Sequence, residues 1–272
     1  MTKISKQKVL VSAFLVAIMC IFLCVTASGA EITPTASGSC GDNATWEYYA
    51  STGELKILGS GAMENYDTNS SVPWYSYRAD IKSITMAETV TTIGDYAFFG
   101  CSSLTSFEIP SNVTRIGGYA FAKCSSLKSL EIPSKVTKIR NHLVYLCTSL
   151  ESITVESGNT AFKSIDGNLY SYDGTELVQY ASGKTDKSFT VPDGVTSIFV
   201  GAFGSAPLEY IIIPDSVTSI GPASFYYCTS LKSVTLLSDT PVTIGFEAFT
   251  HSSVEAIYVP ASALDAYKSS EN

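Results

Sequence analysis

Charged residues are scarce in this 272-residue sequence: Asp, Glu, Lys and Arg make up 15 % of it, and no run of like charge stands out. Together with 45 % hydrophobic residues, this composition permits a packed core and argues against a disordered chain. The formal net charge is −8 and the isoelectric point about 4.8. Because nucleic acids carry negative phosphates, we do not expect this acidic chain to bind them.

Histidine is scarcer still, and the motifs of common active sites are missing. Neither His142 nor His251 belongs to a zinc-ligand motif such as H-E-x-x-H. A dyad of His142 with Cys147 lacks an oxyanion hole and an orienting partner. No Gly-x-Ser-x-Gly sequence and no glycine-rich phosphate loop occur. We therefore predict no catalytic residue, no cofactor and no metal site, and a protein that is not an enzyme.

Residues 1–30 have the layout of a secretory signal peptide. Three lysines precede an apolar run from Val9 to Val25, and Ser28 and Ala30 form a small-residue cleavage site. An uncleaved anchor is the alternative, since about 17 apolar residues approach the length that spans a bilayer. A lipid anchor on Cys20 or Cys24 is disfavoured because neither follows a convincing lipobox. Cleavage removes three lysines and no acids, which takes the net charge from −8 to −11. It predicts a secreted or cell-surface chain without membrane insertion.

The rest of the sequence is dominated by a repeat of 23 residues. Val90–Leu104 reads V-T-T-I-G-D-Y-A-F-F-G-C-S-S-L, and Val113–Leu127 reads V-T-R-I-G-G-Y-A-F-A-K-C-S-S-L. Neither helix nor strand periodicity alone produces such spacing. Further copies span or begin at Val136–Leu150, Val195, Val217–Leu231 and Val242.

Each copy contains two short strand signals. Leu-x-x-Φ-x-Φ-Pro, in which Φ is apolar, alternates with the period of a half-buried strand. Val-Thr-x-Ile is a β-branched run, and the Ala-Phe-x-x-Cys segment has room for a single helical turn. Stacked coils turn each equivalent position into a buried row. We expect a row of leucines and a row of phenylalanines: Leu104, Leu127, Leu150, Leu208, Leu231; Phe98, Phe121, Phe203, Phe225, Phe249.

These signals predict a β-rich solenoid of 23-residue coils over residues 79–260. Residues 31–78 do not fit the repeat and predict a small N-terminal β capping module with Trp46 and Trp74 in its core. Residues 261–272 predict a short C-terminal capping helix, and the abrupt stop at Asn272 leaves truncation open.

One coil, between Val155 and Val191, has 36 residues instead of 23. The extra residues predict a hairpin insertion at about 156–187, and insertions in solenoids often map to the binding face. Asp166-Gly167 and Asp173-Gly174 favour turns; the spacing of a calcium loop is missing. The strand candidates are Phe162–Ile165, Leu169–Ser171 and Glu176–Tyr180.

Five cysteines follow the leader, and their number is odd, so at least one is unpaired within the chain. Neighbouring coils about 4.8 Å apart would bring the repeated cysteines within disulfide range. The same position also suits a small buried side chain, and we favour reduced, buried thiols. The residues are Cys40, Cys101, Cys124, Cys147 and Cys228.

The motif V-T-x-I-G-x-x-A-F-x-x-C-x-S-L-x-x-Φ-x-Φ-P resembles the BspA-like leucine-rich repeat. The segments around Cys40, around Pro73-Trp74-Tyr75 and over Tyr258–Tyr267 resemble modules that flank such repeats. The resemblance covers roughly residues 38–267. It implies a right-handed leucine-rich-repeat solenoid in a surface or secreted protein, often bacterial, with some members acting as adhesins. The family has no shared catalytic residue.

The exposed surface is therefore the part of the chain expected to bind a partner. Outward positions of the Leu-x-x-Φ-x-Φ strands are mostly serine and threonine, which solvation alone explains. Exposed aromatic and apolar groups are the usual anchors of an interface. We expect a monomeric, adhesin-like recognition module for an extracellular protein or glycan; the alternative is a passive spacer in a surface assembly. The predicted partner-binding residues are Tyr210, Ile212, Tyr258, Glu108, Glu131, Tyr170, Tyr172 and Tyr180.

The stacking hypothesis makes Phe121 a core residue. Phe121→Ala is expected to lower the free energy of unfolding by about 3–5 kcal/mol, because it removes a buried ring and leaves a cavity. Urea denaturation followed by circular dichroism measures the change. An unaltered unfolding midpoint would contradict the stacked-coil arrangement.

Overall fold

The computed structural model describes residues 32–270; the predicted signal peptide lies outside that range. From Pro34 onward the chain forms one compact unit, a β solenoid. In the N-terminal half the strands are β1 Ala36–Ser39, β2 Ala44–Tyr49, β3 Glu54–Gly59, β4 Gly61–Ala62, β5 Ser83–Met86, β6 Val90–Ile93, β7 Arg115–Ile116, β8 Ser129–Ile132, β9 Lys138–Ile139 and β10 Ser152–Val155. In the C-terminal half they are β11 Phe162–Ile165, β12 Asn168–Ser171, β13 Glu176–Gln179, β14 Ser188–Thr190, β15 Ser197–Ile198, β16 Tyr210–Ile213, β17 Ser219–Ile220, β18 Ser233–Leu236, β19 Thr243–Ile244 and β20 Ala256–Tyr258. Short 3₁₀ turns occupy Asn69–Ser71, Tyr75–Asp80 and Ala261–Ala263, and α1 spans Leu264–Ser269.

Two sets of parallel ladders run along the solenoid. One set joins the strands of the Val-Thr-x-Ile segments, as β4-β6-β7-β9 and as β13-β15-β17-β19, in which β4 of the N-terminal module and β13 of the insertion extend the ladders. The other joins the Leu-x-x-Φ-x-Φ strands, as β8-β10 and as β14-β16-β18-β20. Ile93 lies opposite Ile116, and Ile116 opposite Ile139. Because ladder partners are one repeat apart, equal residue types meet between coils.

The predicted rows are present, although Phe249 in the last coil is only partly buried. All five leucines of the leucine row are buried. The ring centroids of Phe98 and Phe121 lie 5.5 Å apart, and Phe225 lies 5.0 Å from both Phe203 and Phe249. Aromatic stacking thus adds to the burial of apolar area that drives coil packing.

The N-terminal module continues the solenoid ladder. It is an antiparallel sheet of β1, β2 and β3 whose last strand pairs in parallel with β5. Trp74 begins the aromatic row: its ring lies 6.2 Å from that of Phe98, and its Nε1 donates a hydrogen bond of 2.9 Å to the carbonyl oxygen of Ala97. Trp46 is also buried, as predicted. The module therefore covers the first coil: β3 extends its strand ladder, and Trp74 extends its row of buried aromatic rings.

The connection after each Val-Thr-x-Ile strand differs from the single helical turn that we predicted. Two residues of the connection, four positions apart, adopt left-handed φ angles, such as Tyr96 at 60° and Gly100 at 75°. In this conformation the backbone N–H groups of Tyr96, Phe98 and Gly100 donate to carbonyl oxygens of the next coil. A helical turn would direct these N–H groups back along its own segment. We call the first left-handed residue of each connection position A and the second position B.

The repeat is interrupted at the insertion, whose three strands match the predicted ones within two residues. Strands β11 and β12 form an antiparallel hairpin with Asp166 and Gly167 at its turn, both at positive φ. Strand β13 then joins the solenoid ladder, with Leu177 opposite Ile198. The carboxylate of Asp173 accepts hydrogen bonds from Ser171 and Thr175, which lower the pKa of its carboxyl group to about 2. The aspartates thus serve as turn residues.

All five cysteines in the described residues are free and buried. The thiol groups of Cys124, Cys147 and Cys228 lie 3.0–3.2 Å from the carbonyl oxygens of Phe98, Phe121 and Phe203, which places one thiol-to-carbonyl contact between coils. Burial raises the pKa of Cys40 and of Cys228 to about 12. The cysteines are thus buried and form no disulfide in the structure; that the thiols are reduced in the protein stays a prediction.

The left-handed positions generate a stability prediction at Ser205. This residue occupies position B with φ of 65°, and its hydroxyl oxygen is buried without a hydrogen-bond partner among the described residues. Ser205→Gly relieves both costs and is expected to raise the free energy of unfolding by about 1 kcal/mol. The matched control is Gly100→Ser at the same position of another coil, which should lower it. Urea unfolding of both variants measures the difference; a loss of stability in Ser205→Gly would contradict the argument.

The cysteine geometry predicts how the thiols react. In the native chain from residue 31 onward, Ellman's reagent should modify none of them rapidly at pH 8, because all five are buried and burial excludes the reagent. After denaturation without reductant, all five should react. A count of one or three would reveal disulfides instead.

Candidate binding surfaces

The first candidate surface lies on the four-stranded sheet β14-β16-β18-β20. Tyr210 and Ile212 point outward from β16, because residues on one face of a strand alternate with buried ones. Ile212 pairs with Thr235, which pairs with Tyr258, so Ile212 and Tyr258 share one row about 10 Å apart, two strand spacings. Their exposed fractions are 46 % for Tyr210, 39 % for Ile212 and 58 % for Tyr258. We call these three residues the strand-side patch.

Cations flank the strand-side patch. The Glu209 carboxylate binds Lys232 at 2.5 Å and Lys187 at 3.4 Å, and these partners lower the pKa of its carboxyl group. The Lys232 ammonium lies 5.9 Å from the centre of the Tyr210 ring. Glu209 thereby fixes two lysines, one on each neighbouring coil, beside the exposed ring.

The second surface is an acidic groove over the earlier coils, with a volume of about 640 Å³. Four carboxylates line it, from Glu88, Glu108, Glu131 and Glu156, and one ammonium, from Lys82. Glu88 accepts hydrogen bonds from Ser111, and Glu156 accepts one from the backbone of Ser134 that lowers the pKa of its carboxyl group.

The other two carboxylates of the groove, Glu108 and Glu131, are exposed and have no hydrogen-bond or ion-pair partner within residues 32–270. They occupy equivalent positions of neighbouring coils. Equal charges in such positions repel each other, so a cationic group between them would be favourable.

Two of the predicted contact residues are buried, and the prediction was wrong for them. Tyr170 lies on β12 between β11 and β13 and is 1 % exposed. Tyr180 takes the place of the repeat phenylalanine: its ring lies 5.4 Å from Phe203, and its N–H donates to Ala202, as Phe98 does to Ala120. Both side chains fill the core, so neither can meet a partner. Tyr172, at the hairpin end, is exposed.

A third surface, which the sequence analysis missed, lies beside the position A residues. Tyr96, Tyr119 and His142 stack in parallel, with centroid distances of 5.0 Å and 4.5 Å. Tyr145 stands perpendicular to Tyr119 and His142 and reaches Tyr226 across a gap, at 6.1 Å between ring centroids. We call the resulting space of about 290 Å³ the turn-side cleft.

The cleft exists because one connection is two residues short. Four residues separate Ile93 from Phe98, whereas two separate Leu177 from Tyr180, and this shorter connection has no position A residue. His142 consequently meets Gly201 of the coil beyond: a Cβ on Gly201 would lie 2.7 Å from the imidazole. The sequence signals for the cleft were the aromatic residues repeated every 23 positions and this shortened spacing.

The imidazole of His142 and the phenol of Tyr145, which both line the cleft, are neutral near pH 7. Burial lowers the pKa of His142 and raises that of Tyr145. The Asn141 amide nitrogen lies 3.0 Å from Nδ1 of His142; since an amide nitrogen only donates, Nδ1 accepts and Nε2 bears the proton. The His142 imidazole is therefore a neutral hydrogen-bond donor at Nε2.

Within the described part of the chain, no His, Cys, Asp and Glu side chains cluster in a way that could hold a metal ion. Between residues 32 and 270, no helix has the length and apolar character needed to cross a bilayer.

Comparison with known proteins places this architecture. The family described as BspA type leucine rich repeat region matches six copies, over residues 73–185 and 179–270. Among curated proteins, no sequence matches the chain. A leucine-rich repeat protein from Eubacterium ventriosum ATCC 27560 is 23 % identical over 82 % of this chain and 72 % of its own, with a TM-score of 0.51, and shares the fold.

Two further solved structures are more distant. The leucine rich repeat protein of T. pallidum is 20 % identical over 85 % of this chain and 94 % of its own, at a TM-score of 0.42. The pneumococcal vaccine antigen PcpA is 16 % identical over 84 % and 88 %, also at 0.42. The six repeats matched over residues 73–270 show that the chain belongs to the BspA type leucine-rich repeat family.

Proposed function

We propose that the chain is a secreted or cell-surface recognition protein that binds an extracellular protein or glycan through its strand side. The observation that supports this most directly is the strand-side patch. Two tyrosines and an isoleucine stand exposed on a sheet whose other outward positions are mostly serine and threonine. Grouped aromatic and apolar side chains on a rigid sheet are typical interface anchors.

The strand side of the solenoid carries opposite charges toward its two ends. The strand-side patch is bordered by Lys187 and Lys232, whereas the acidic groove holds the unpaired Glu108 and Glu131. A partner that crosses both surfaces would need basic groups over the groove and apolar groups over the patch. The leader predicted for residues 1–30 and the family resemblance support an exported location.

A binding comparison tests the proposal. The chain from residue 31 onward is passed over immobilised extracellular matrix proteins and mucin glycoproteins, beside a variant with Tyr210→Ala and Tyr258→Ala. Removal of two anchors is expected to weaken binding at least about tenfold. The matched control is Tyr227→Ala, which removes an exposed tyrosine near the turn-side cleft and should leave the affinity unchanged. Equal binding by the wild type and the double variant would remove the strand-side patch as the contact.

The acidic groove is tested separately with Glu108→Gln and Glu131→Gln. If a basic partner lies over the groove, these variants reduce the association rate at low salt. Absence of any bound ligand, together with self-association on size exclusion, would instead favour the passive spacer.

A further inference from the structure

The turn-side cleft is separate from the strand side: none of its lining residues belongs to the strand-side patch or to the acidic groove. We propose that the cleft is a second binding site, which takes one neutral pyranose ring at the end of a glycan. The juxtaposition behind the proposal is that of stacked Tyr119 and His142 on one side with Tyr226 and Phe246 on the other.

Ring geometry indicates a flat ligand with apolar faces. Phe246 lines the cleft and is 79 % exposed, more than any other large hydrophobic residue between residues 32 and 270, and no aromatic ring in that range stacks on it. Tyr145 closes the inner end, edge-on to His142. A ligand ring that entered between these walls would cover apolar surface that now faces water. The volume of about 290 Å³ is at the lower end of small-molecule sites and holds one ring, not an extended peptide.

Hydrogen-bonding groups indicate hydroxyls on the edge of that ring. The phenol oxygens of Tyr119, Tyr145 and Tyr226 make no hydrogen bond to another group in residues 32–270, so each can donate and accept. The His142 imidazole forms the floor of the cleft and packs against Gly201, which has no Cβ to displace it. Aromatic faces bordered by several hydroxyl-type groups suit a sugar, which presents apolar C–H faces and a polar rim.

The negative charge of the cleft indicates a neutral sugar and not an acidic one. The only charged residue that lines the cleft is Glu247, and no lysine or arginine does. A carboxylate without a compensating cation repels uronic and sialic acids, so the site favours neutral pyranoses.

Histidine signals provide a direct readout because the sequence has only His142 and His251. Methyl glycosides of glucose, galactose, mannose, N-acetylglucosamine and glucuronic acid are titrated into the chain from residue 31 onward. Imidazole resonances are followed by NMR and assigned with His251→Gln. We expect at least one neutral glycoside to shift the His142 resonances saturably, and methyl glucuronide to bind more weakly.

Variants separate this site from the strand side. Phe246→Ala should weaken sugar binding by about tenfold without a change in unfolding midpoint, since the ring is exposed. Glu247→Gln should raise the affinity for methyl glucuronide. Tyr210→Ala with Tyr258→Ala should leave the His142 titration unchanged, so either site can fail without the other.

Three outcomes would overturn the proposal. One is the lack of a His142 shift with every neutral glycoside. Another is a His142 titration in which both Phe246→Ala and Tyr226→Ala bind the neutral glycosides as tightly as the wild type does. The third is a saturable shift caused by a proline-rich peptide but by none of the sugars, which would make the cleft a peptide site.

Discussion

Hydrogen bonds from the backbone of one coil to the backbone of the next are the interaction on which this structure depends. They run through both strands and also through the connections, where Phe98, Phe121, Phe203 and Phe225 donate to residues one repeat later. An isolated coil could neither satisfy these groups nor bury its leucine and phenylalanine. Stability is therefore shared between neighbours, and every departure from the repeat is felt first at the adjoining coils.

The insertion shows how this constraint shapes the surface. Strand β13 keeps its ladder place opposite β15, and Tyr180 keeps the core place of a phenylalanine, so the stack continues. The two omitted residues affect only the outer side of the connection, where His142 packs directly against Gly201 of the coil beyond. On the strand side, the Asp166-Gly167 turn lies beside Ile153 of β10 and separates the acidic groove from the strand-side patch. One insertion thus produces local differences on two sides while the core stays continuous.

Much of the fold could be predicted because the repeat constrains it. Equal residues every 23 positions fix which side chains meet, so the leucine and phenylalanine rows followed directly from the sequence. Strand alternation also placed Tyr210, Ile212 and Tyr258 outward. The left-handed connections could not be predicted, because Tyr96, Lys123 and Ala223 are not residues whose chemistry favours positive φ. Tyr170 and Tyr180 were wrongly predicted to contact a partner, because tyrosine is common both in cores and at interfaces. Their burial follows from the place of β13 in the ladder, which the sequence did not reveal. The cleft could not be predicted either, because its walls come from coils that become neighbours only across the shortened connection.

The position A residues have a consequence for variation. Within one chain this place is filled by tyrosine, histidine, glycine, alanine and glutamate at Tyr96, Tyr119, His142, Gly201, Ala223 and Glu247. Each backbone keeps the same left-handed shape whichever residue is present, and among these side chains only that of His142 is buried. Duplication or exchange of whole coils can then alter the outer chemistry in steps of 23 residues while the interior is inherited unchanged. In such a scaffold the buried rows have to be kept, whereas the position A side chains can change under selection for binding.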